Sequence, residues 1–412
     1  MTKITDIPAI RFKGFSDTWE QRKLSDCAGF RRGSFPQPYG NKDWYDGEGA
    51  MPFVQVADVS DDMKLVDDTK QKISKLAQPM SVCAEEGSVL VTLQGSIGRV
   101  AIMQYKAFVD RTVLIFDKYN ADIDKTFWAY IIKEKFIEEA RKAPGGTIKT
   151  ITKEVLSDFD LMLPSYDEQK MLGKLLHSLD HLITLHQRKY DKLTNVKKSM
   201  LEKMFPQNGS NAPEIRFKGF TEAWEQRKFS DLVQIERGGS PRPIDDFITD
   251  SPDGLNWVKI GDAPAQGNYI TKTAEKIKPE GLSKTREVHP GDLILSNSMS
   301  FGKPYIMGID GCIHDGWLLI RNTYKAFDLT FLCHLLGTPQ MIIQYKSLAA
   351  GSTVNNLNKE LVGNTVVTIP TIKEQRVLGQ YLETLDNLIT LHQRELEKLK
   401  NLKKACLEKM FV

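Results

Sequence analysis

The strongest hydrophobic pattern in the chain is a seven-residue repeat that occurs in two separate stretches. In the first stretch the residues that recur every seven positions are Leu172, Leu179, His186, Leu193 and Met200. Most positions four residues further on are filled by Leu176, Ile183, Tyr190 and Met204. In the second stretch they are occupied by Leu378, Leu385, His392, Leu399 and Cys406, with Leu382, Ile389, Leu396 and Met410. A repeat sustained for about four heptads predicts a long amphipathic helix with a coiled-coil-like seam.

Each of these helices must bury its apolar stripe, and the other helix is the obvious partner. Residues 167–204 would span ~57 Å at a rise of 1.5 Å per residue. Because the first helix leads from the first half of the chain into the second, we expect the second helix to run antiparallel to it. The expected architecture is two globular heads on a two-helix rod, with a pseudo-two-fold relation between the halves.

The segments before each long helix combine short β-like runs with one helix-like stretch, and Gly and Pro separate them. The predicted strands are Ser88–Leu93, Thr112–Phe116, Asp292–Leu295 and Trp317–Ile320. The predicted helices are Lys125–Lys142 and Leu329–Leu348. This mixture predicts an α/β or α+β fold for each head, while the order of strands in the sheets stays open.

The two halves of the chain are duplicates at their ends and different in between. Residues 8–26, PAIRFKGFSDTWEQRKLSD, match residues 213–231 at 14 of 19 positions, and residues 178–205 match residues 384–411 at 19 of 28. The offsets of 205 and 206 make each half one complete unit. Residues 27–166 and 232–371 share only a faint outline, which indicates one fold carrying two different surfaces.

These patterns divide the chain into five segments. We expect a first head at residues 1–166, a first spacer helix at 167–205, a linker at 206–212, a second head at 213–371 and a second spacer helix at 372–412. The linker has the Pro, Asn, Gly and Ser content typical of loops.

Composition adds few constraints. The 412 residues are 41% hydrophobic and 26% charged, which is a normal globular mixture, and the formal net charge is only +3. The five cysteines form no C-x-x-C pair, so we expect no disulfide framework or zinc ribbon and a reduced, cytoplasmic setting. We also expect no signal peptide and no membrane span, since no long apolar run is present.

The sequence lacks the common catalytic motifs. Neither a phosphate-binding G-x-x-x-x-G-K-[ST] loop, a G-x-G-x-x-G fingerprint, a G-x-S-x-G elbow nor an H-E-x-x-H motif occurs. The proximity of Cys312, His314 and Asp315 could suggest a nucleophilic site, but a turn at a strand end is the better interpretation. His186 and His392 occupy equivalent seam positions; they could form a metal-binding or pH-sensitive pair, but a polar position that fixes helix register is favoured.

The duplicated motifs together resemble the specificity subunits of type I restriction–modification systems. The resemblance rests on P-x-I-R-F-K-G-F-x-x-x-W-E-Q-R-K before each variable segment, on Glu168-Gln169 and Glu374-Gln375 opening the long helices, and on the glycine turns at Gly146 and Gly351. It covers essentially the whole chain.

The resemblance implies that each variable segment is a target-recognition domain for one half of a split, asymmetric DNA site. It further implies that the two helices set the spacing and dock two methyltransferase subunits, with two ATP-dependent translocase/nuclease subunits completing the complex. S-adenosylmethionine, ATP and Mg would be bound by those partners, and this chain would hold no cofactor and no metal and would carry no catalytic residue. Stand-alone DNA-modifying enzymes and coiled-coil scaffolds that do not read DNA remain the alternatives.

Polar residues in the loops around the shared glycines are the candidate DNA-binding residues, because Arg suits guanine and Asn or Gln suits adenine. They are Arg31, Arg32, Gln94, Ser96, Arg99, Thr147 and Lys149 in the first head, and Arg237, Arg242, Asn297, Ser298, Ser300, Lys303, Asn355 and Asn356 in the second. Residues 27–166 carry 18 basic and 20 acidic side chains, and residues 232–371 carry 13 and 14. We therefore expect weak DNA binding by the isolated chain, because net charge supplies no strong grip on phosphate.

Overall fold

The computed structural model describes residues 7–38, 40–142, 153–207, 209–297, 302–350 and 357–411. The chain divides into two compact units. The first unit contains residues 1–185 and 397–412, and the second contains residues 186–396. Each unit thus consists of one head together with a segment of each long helix.

In the described part of the first unit, ten short strands and three helices build the head. The strands are β1 (Glu20–Lys23), β2 (Ala28–Arg32), β3 (Met51–Val54), β4 (Gln71–Ile73), β5 (Cys83–Ala84), β6 (Val89–Thr92), β7 (Val100–Ile102), β8 (Ala107–Val109), β9 (Val113–Tyr119) and β10 (Asp160–Leu163). The helices are α1 (Leu24–Cys27), α2 (Lys125–Lys142), α3 (Lys153–Ser157) and the long helix α4 (Tyr166–Lys203), which continues into the second unit. One sheet has the order β2-β9-β6-β7 and the other β4-β3-β8-β5, with a separate β1-β10 pair.

The second head repeats this plan with two larger sheets. Its strands are β11 (Glu225–Lys228), β12 (Gln234–Arg237), β13 (Ile248–Thr249), β14 (Leu255–Val258), β15 (Tyr269–Ile270), β16 (Glu275–Ile277), β17 (Arg286–Val288), β18 (Leu293–Ser296), β19 (Pro304–Met307), β20 (Gly311–Ile313), β21 (Trp317–Arg321) and β22 (Val366–Ile369). Its helices are α5 (Leu329–Leu336), α6 (Pro339–Ala350), α7 (Lys359–Gly363) and the long helix α8 (Ile372–Met410). The sheet orders are β12-β21-β18-β19-β15, β13-β16-β14-β20-β17 and β11-β22.

The core of each head lies between its sheet and its helices. In the first head, Trp128 on α2 is fully buried against Phe116 on β9, at a ring-centroid distance of 5.5 Å. In the second head, Phe331 on α5 and Tyr345 on α6 are equally buried. The central strands β6 and β18 are buried on both faces. Val89 and Val91 of β6 share a core with α2, while Leu90 belongs to a second apolar cluster with residues of β8.

The predicted secondary structure agrees with the observed elements except at one helix. Lys125–Lys142 is helical over the predicted range, but the single helix predicted for Leu329–Leu348 was wrong, because the structure has two helices there. Gly337 ends α5, and Pro339, which has no backbone N–H to donate, begins α6.

Within each unit, the segments of α4 and α8 run in opposite directions. In the second unit, Lys197 pairs with Asp386 and His186 meets His392, so residue numbers rise along one helix as they fall along the other. In the first unit, Asp180 contacts Lys403, while Leu172 shares a core with Met410. The antiparallel pairing predicted from the heptads is thus present. No helix in the described part of the chain combines the length and apolar character needed to cross a bilayer.

Candidate nucleic-acid interface

The repeated motifs attach each head to a long helix. Arg11, from the first repeat, donates two hydrogen bonds of 2.7 Å to the carboxylate of Glu168, which is 1% exposed. Gln169 accepts a hydrogen bond from the backbone N–H of Asp124 and donates to the Pro164 carbonyl. A buried carboxylate needs such a partner, because an unpaired one would be very costly.

The second unit makes the same attachment with the equivalent residues. Arg216 donates to both oxygens of Glu374 at 2.7 Å, and Gln375 accepts from the backbone N–H of Asp328. Trp224 also donates to Glu374, at 3.3 Å. The duplicated arginine and the Glu-Gln pairs therefore have a structural role, which explains why they recur when the heads differ.

The repeated tryptophans also lie at these joints. Trp19 packs edge-on against Phe127 and Phe411, with ring centroids 6.2 and 6.0 Å apart. In the second unit, Trp224 packs in the same way against Phe331 and Phe205. Both tryptophans are buried, so packing in the core accounts for them.

Two first-head candidates, Arg31 and Arg32, lie at the end of β2. Arg31 donates to the carboxylate of Asp117 at 2.6 and 2.8 Å and to the carbonyl of Cys83. Beside them is a recess of about 230 Å³ whose wall also contains Lys153. The paired Arg31 is held in one orientation, which would suit recognition of a base edge more than a mobile phosphate contact.

The other described candidates of the first head lie in the turn between β6 and β7. Gln94 and Ser96 are exposed at its tip, and Arg99 contacts Asp61 at 2.9 Å. Gly98 has a φ of 83°, and a side chain there would collide with Phe136, so the turn requires glycine. Leu93, the residue before Gln94, lines the recess beside Arg31 and Arg32.

Three candidates of the second head converge on one residue. Arg237 and Asn297 donate to the backbone carbonyl of Asp315 at 3.3 and 2.9 Å, and Arg242 lies 3.7 Å from its carboxylate. Asn297 is 3% exposed, so we expect it to position this turn, whereas Arg242 is 81% exposed and free to reach a ligand. Lys303 is hydrogen-bonded through its backbone to Ser296, the residue before Asn297, and its ammonium lies 5.0 Å from the ring centroid of Tyr305.

Six candidates lie outside the described residues. They are Thr147, Lys149, Ser298, Ser300, Asn355 and Asn356. Sequence reasoning interpreted His314 and Asp315 as a turn at a strand end and did not connect them with the arginine candidates. It also did not use the spacing G-x-x-P-x-P, which both heads share immediately after β2 and β12.

The chemistry around Cys312 does not favour a nucleophile. Burial raises the pKa of its thiol to about 11, and Sγ donates to the carbonyl of Asn256. A protonated thiol is a poor nucleophile. His314 accepts a hydrogen bond from the backbone N–H of Gly316 and lies in the turn between β20 and β21, which agrees with the structural interpretation of this cluster.

The seam histidines meet each other. The Nδ1 atoms of His186 and His392 are 3.1 Å apart, so one ring donates a hydrogen bond that the other accepts. Burial, together with the neighbouring charges of His186 and Lys189, lowers the pKa of His392. Among the described residues there is no cluster of three or more potential metal ligands. The direct contact between the two rings agrees with a polar position in the seam between the helices.

Two stretches of the chain, residues 16–195 and 221–401, match the model of the type I restriction modification DNA specificity domain. The chain belongs to this family. Its role is that of a specificity subunit, which recognises DNA within a type I restriction–modification complex.

Relatives of known assignment agree over almost the full length. The chain is 22% identical over 402 residues to the type I restriction enzyme MjaVIII specificity subunit of Methanocaldococcus jannaschii, covering 94% of this chain and 91% of that protein. It is also 22% identical over 426 residues to the putative type I restriction enzyme MjaX specificity subunit of the same organism, covering 98% and 93%.

A solved structure shows the same fold. The S subunit of a type I restriction–modification system from M. genitalium aligns with a TM-score of 0.65 at 14% identity, covering 98% of this chain and 99% of that one. At this level of identity the likeness concerns the fold, with its two mixed heads and two long helices.

Proposed function

We propose that each head of this specificity subunit reads one half of a bipartite, asymmetric DNA site. The observation that carries the proposal is the contrast between conserved joints and divergent heads within one chain. Both heads are anchored by the same Arg–Glu ion pair, by a Glu-Gln pair at the start of the long helix and by a buried tryptophan, while the side chains in their loops differ. Two heads of one fold with different exposed residues would read two different sequences.

The candidates that fit base reading best are the exposed arginines and amides near strand ends. Arg31 and Arg242 each lie beside a carboxylate, which orients the guanidinium without covering it. The remaining candidates would contact either base edges or phosphates. The two helices would separate the half-sites by a fixed number of unread base pairs.

The helices also present a surface suited to the methyltransferase partner. Leu182 and Leu185 on α4 are about two-fifths exposed, and their equivalents on α8, Leu388 and Leu391, are exposed as well. All four belong to the duplicated LITLHQR segment. An apolar pair repeated in each unit, and preserved where the heads have diverged, would dock one copy of the same subunit per unit.

The complete assembly would contain two methyltransferase subunits and two ATP-dependent translocase/nuclease subunits. S-adenosylmethionine, ATP and Mg would enter with these partners. Because each variable segment carries slightly more acidic than basic side chains, we expect the isolated chain to bind DNA weakly and the partners to supply most phosphate contacts.

An exchange of heads tests the proposal. Residues 27–166 are moved into a second specificity subunit with a known site, and methylated adenines are mapped by sequencing in cells that express the hybrid with its methyltransferase. We expect one half-site to change while the other half-site and the spacing stay the same. A change in both half-sites, or no methylation despite a folded, assembled complex, would refute independent reading.

A second experiment tests docking. Leu182→Ser combined with Leu185→Ser should reduce the number of bound methyltransferase subunits from two to one, as measured by native mass spectrometry. Leu76→Ser is the matched control, because Leu76 is 63% exposed on the first head and away from the duplicated segment. Retention of two subunits by the double variant would exclude these leucines as the docking surface.

A further inference from the structure

The two heads share a loop of the same shape that carries a different side chain at its tip. The loop follows β2 as Gly33-Ser-Phe-Pro-Gln-Pro38 and follows β12 as Gly238-Gly-Ser-Pro-Arg-Pro243. Position by position, the burial is identical: the glycine and first proline are buried, the next residue and the last proline exposed. We call residues 33–38 and 238–243 the tip loops.

Close packing fixes the base of each tip loop. A side chain at Gly33 would lie 2.2 Å from the carbonyl oxygen of Val109, and one at Gly238 would lie 2.2 Å from that of His314. The glycine N–H groups donate to the carbonyls of Val113 and Trp317, at the starts of β9 and β21. Only glycine fits such an approach, so the two loops leave their sheets in the same way.

Prolines on both sides restrict the backbone at the tip. Because proline fixes φ and also limits the residue before it, Gln37 and Arg242 are each held between two conformationally restricted neighbours. Both side chains are exposed. A restricted backbone that presents one exposed polar side chain is the arrangement expected where recognition has to be preorganised.

The residue facing each tip loop also differs in charge. In the first head it is Arg111, whose guanidinium lies 4.6 Å from the ring centroid of Phe35. In the second head it is Asp315, which contacts Arg242 at 3.7 Å and receives the hydrogen bonds of Arg237 and Asn297. A groove of about 750 Å³ adjoins this loop, and its lining includes Arg242, Trp257, Lys259 and His314.

We propose that the tip loops are the specificity-determining loops of the two heads, with Gln37 and Arg242 as base-reading residues. Arg242, oriented by Asp315, pairs with a guanine in the second half-site, and Gln37 pairs with an adenine in the first. Arg111 and Asp315 are positioning residues. This inference rests on the proposed function, because it requires that each head reads one half-site.

The test exchanges the tips. Wild type, Arg242→Gln and Gln37→Arg are each assembled with the methyltransferase subunits and S-adenosylmethionine, and a randomised DNA library is methylated and sequenced. For Arg242→Gln we expect methylation of the wild-type site to fall at least about tenfold and one guanine of the second half-site to lose its preference. For Gln37→Arg we expect the corresponding change at one adenine of the first half-site only.

Controls separate the failure of this inference from that of the proposed function. Lys272→Gln removes an exposed charge of the second head outside the tip loop and should leave both half-sites unchanged. Thermal melting of each complex checks folding. An unchanged site, or a weakening that is equal for all sequences, would overturn base reading by the tip loops while leaving two-headed reading intact. If the wild-type complex methylates no defined bipartite site, the proposed function itself fails.

Discussion

The contacts that join each head to a long helix are alike at the start of the helix and different further along it. At the start of each long helix, Arg11–Glu168 and Arg216–Glu374 have the same geometry. Further along, Asp180 accepts from the hydroxyl of Tyr130 and pairs with Lys403.

In the second unit the corresponding carboxylate, Asp386, pairs with Lys197 but accepts from Asn268 and lies 3.7 Å from His334. Tyr269 adds a 2.7 Å hydrogen bond to Glu383. Asn268 and Tyr269 leave a crevice of only about 40 Å³ here, compared with about 480 Å³ between the first head and α4. The duplicated residues thus make the contacts that are found in both units, while each head adds contacts of its own.

The largest effects should come from the shared contacts. Glu168→Ala and Glu374→Ala each leave a buried guanidinium without its partner, so each should lower the free energy of unfolding of its own unit by about 3 kcal/mol. Amide hydrogen exchange resolved by peptide can assign the loss to one unit. Glu20→Ala, which removes an exposed pair with Arg22, is the control and should cost under about 0.5 kcal/mol. Small effects at both glutamates would show that the joints do not depend on these pairs.

The next effect is a dependence of the stability of the second unit on the protonation of His334. Burial, reinforced by Lys197 and opposed by Asp386, lowers the pKa of His334 from 6.5 to about 4. The unfolded chain therefore takes up the proton first, so stability is complete above about pH 6.5 and is lost as pH falls towards 4. The loss should be about 2 kcal/mol by about pH 5.

The first unit provides the comparison for this pH effect. Its equivalent side chain is Tyr130, whose pKa is raised by burial and by Asp180, so it stays neutral throughout this range. Urea unfolding at several pH values should show a shallower acid slope for His334→Gln than for wild type. Equal slopes would mean that His334 is protonated in the folded state without cost.

The smallest expected change in the free energy of unfolding concerns the crevices between each head and a long helix. Asn268→Ala removes a hydrogen bond to the partly buried Asp386, and we expect it to destabilise the second unit by about 1 kcal/mol. Lys64→Ala, at the wall of the open crevice in the first unit, should change stability by less than about 0.5 kcal/mol. If the two substitutions had equal effects in urea unfolding, the closed crevice would add nothing to the joint.

The sequence predicted those parts of the fold that depend on local periodicity. The heptads gave the seam of α4 and α8, and the helix Lys125–Lys142 was predicted over its full length. The break at Gly337 and Pro339 was missed although both residues are strong helix terminators, because the apolar pattern continues across them. Strand order could not be predicted, since pairings such as β3 with β8 join residues distant in sequence.

The residue types of the candidate site were easier to predict from the sequence than the positions of these residues relative to one another. Arg237 ends β12, Arg242 lies in the loop that follows it and Asn297 follows β18, and the sheet topology brings the two segments to Asp315. Arg31 pairs with Asp117 and Arg99 pairs with Asp61. These contacts likewise join residues that are distant in sequence. The tip loops could have been found from their shared Gly and Pro spacing, because that signal is local.

The place of Phe411 in the first unit has a consequence for biosynthesis. Phe411 stacks on Phe127 and packs against Trp19, so this aromatic cluster is complete only after residue 411 has left the ribosome, long after Trp19 and Phe127. Phe205, its equivalent in the second unit, is already present when Trp224 and Phe331 emerge. The half that is translated first is therefore the last to be finished, and its nascent form exposes an aromatic surface that chaperones could recognise.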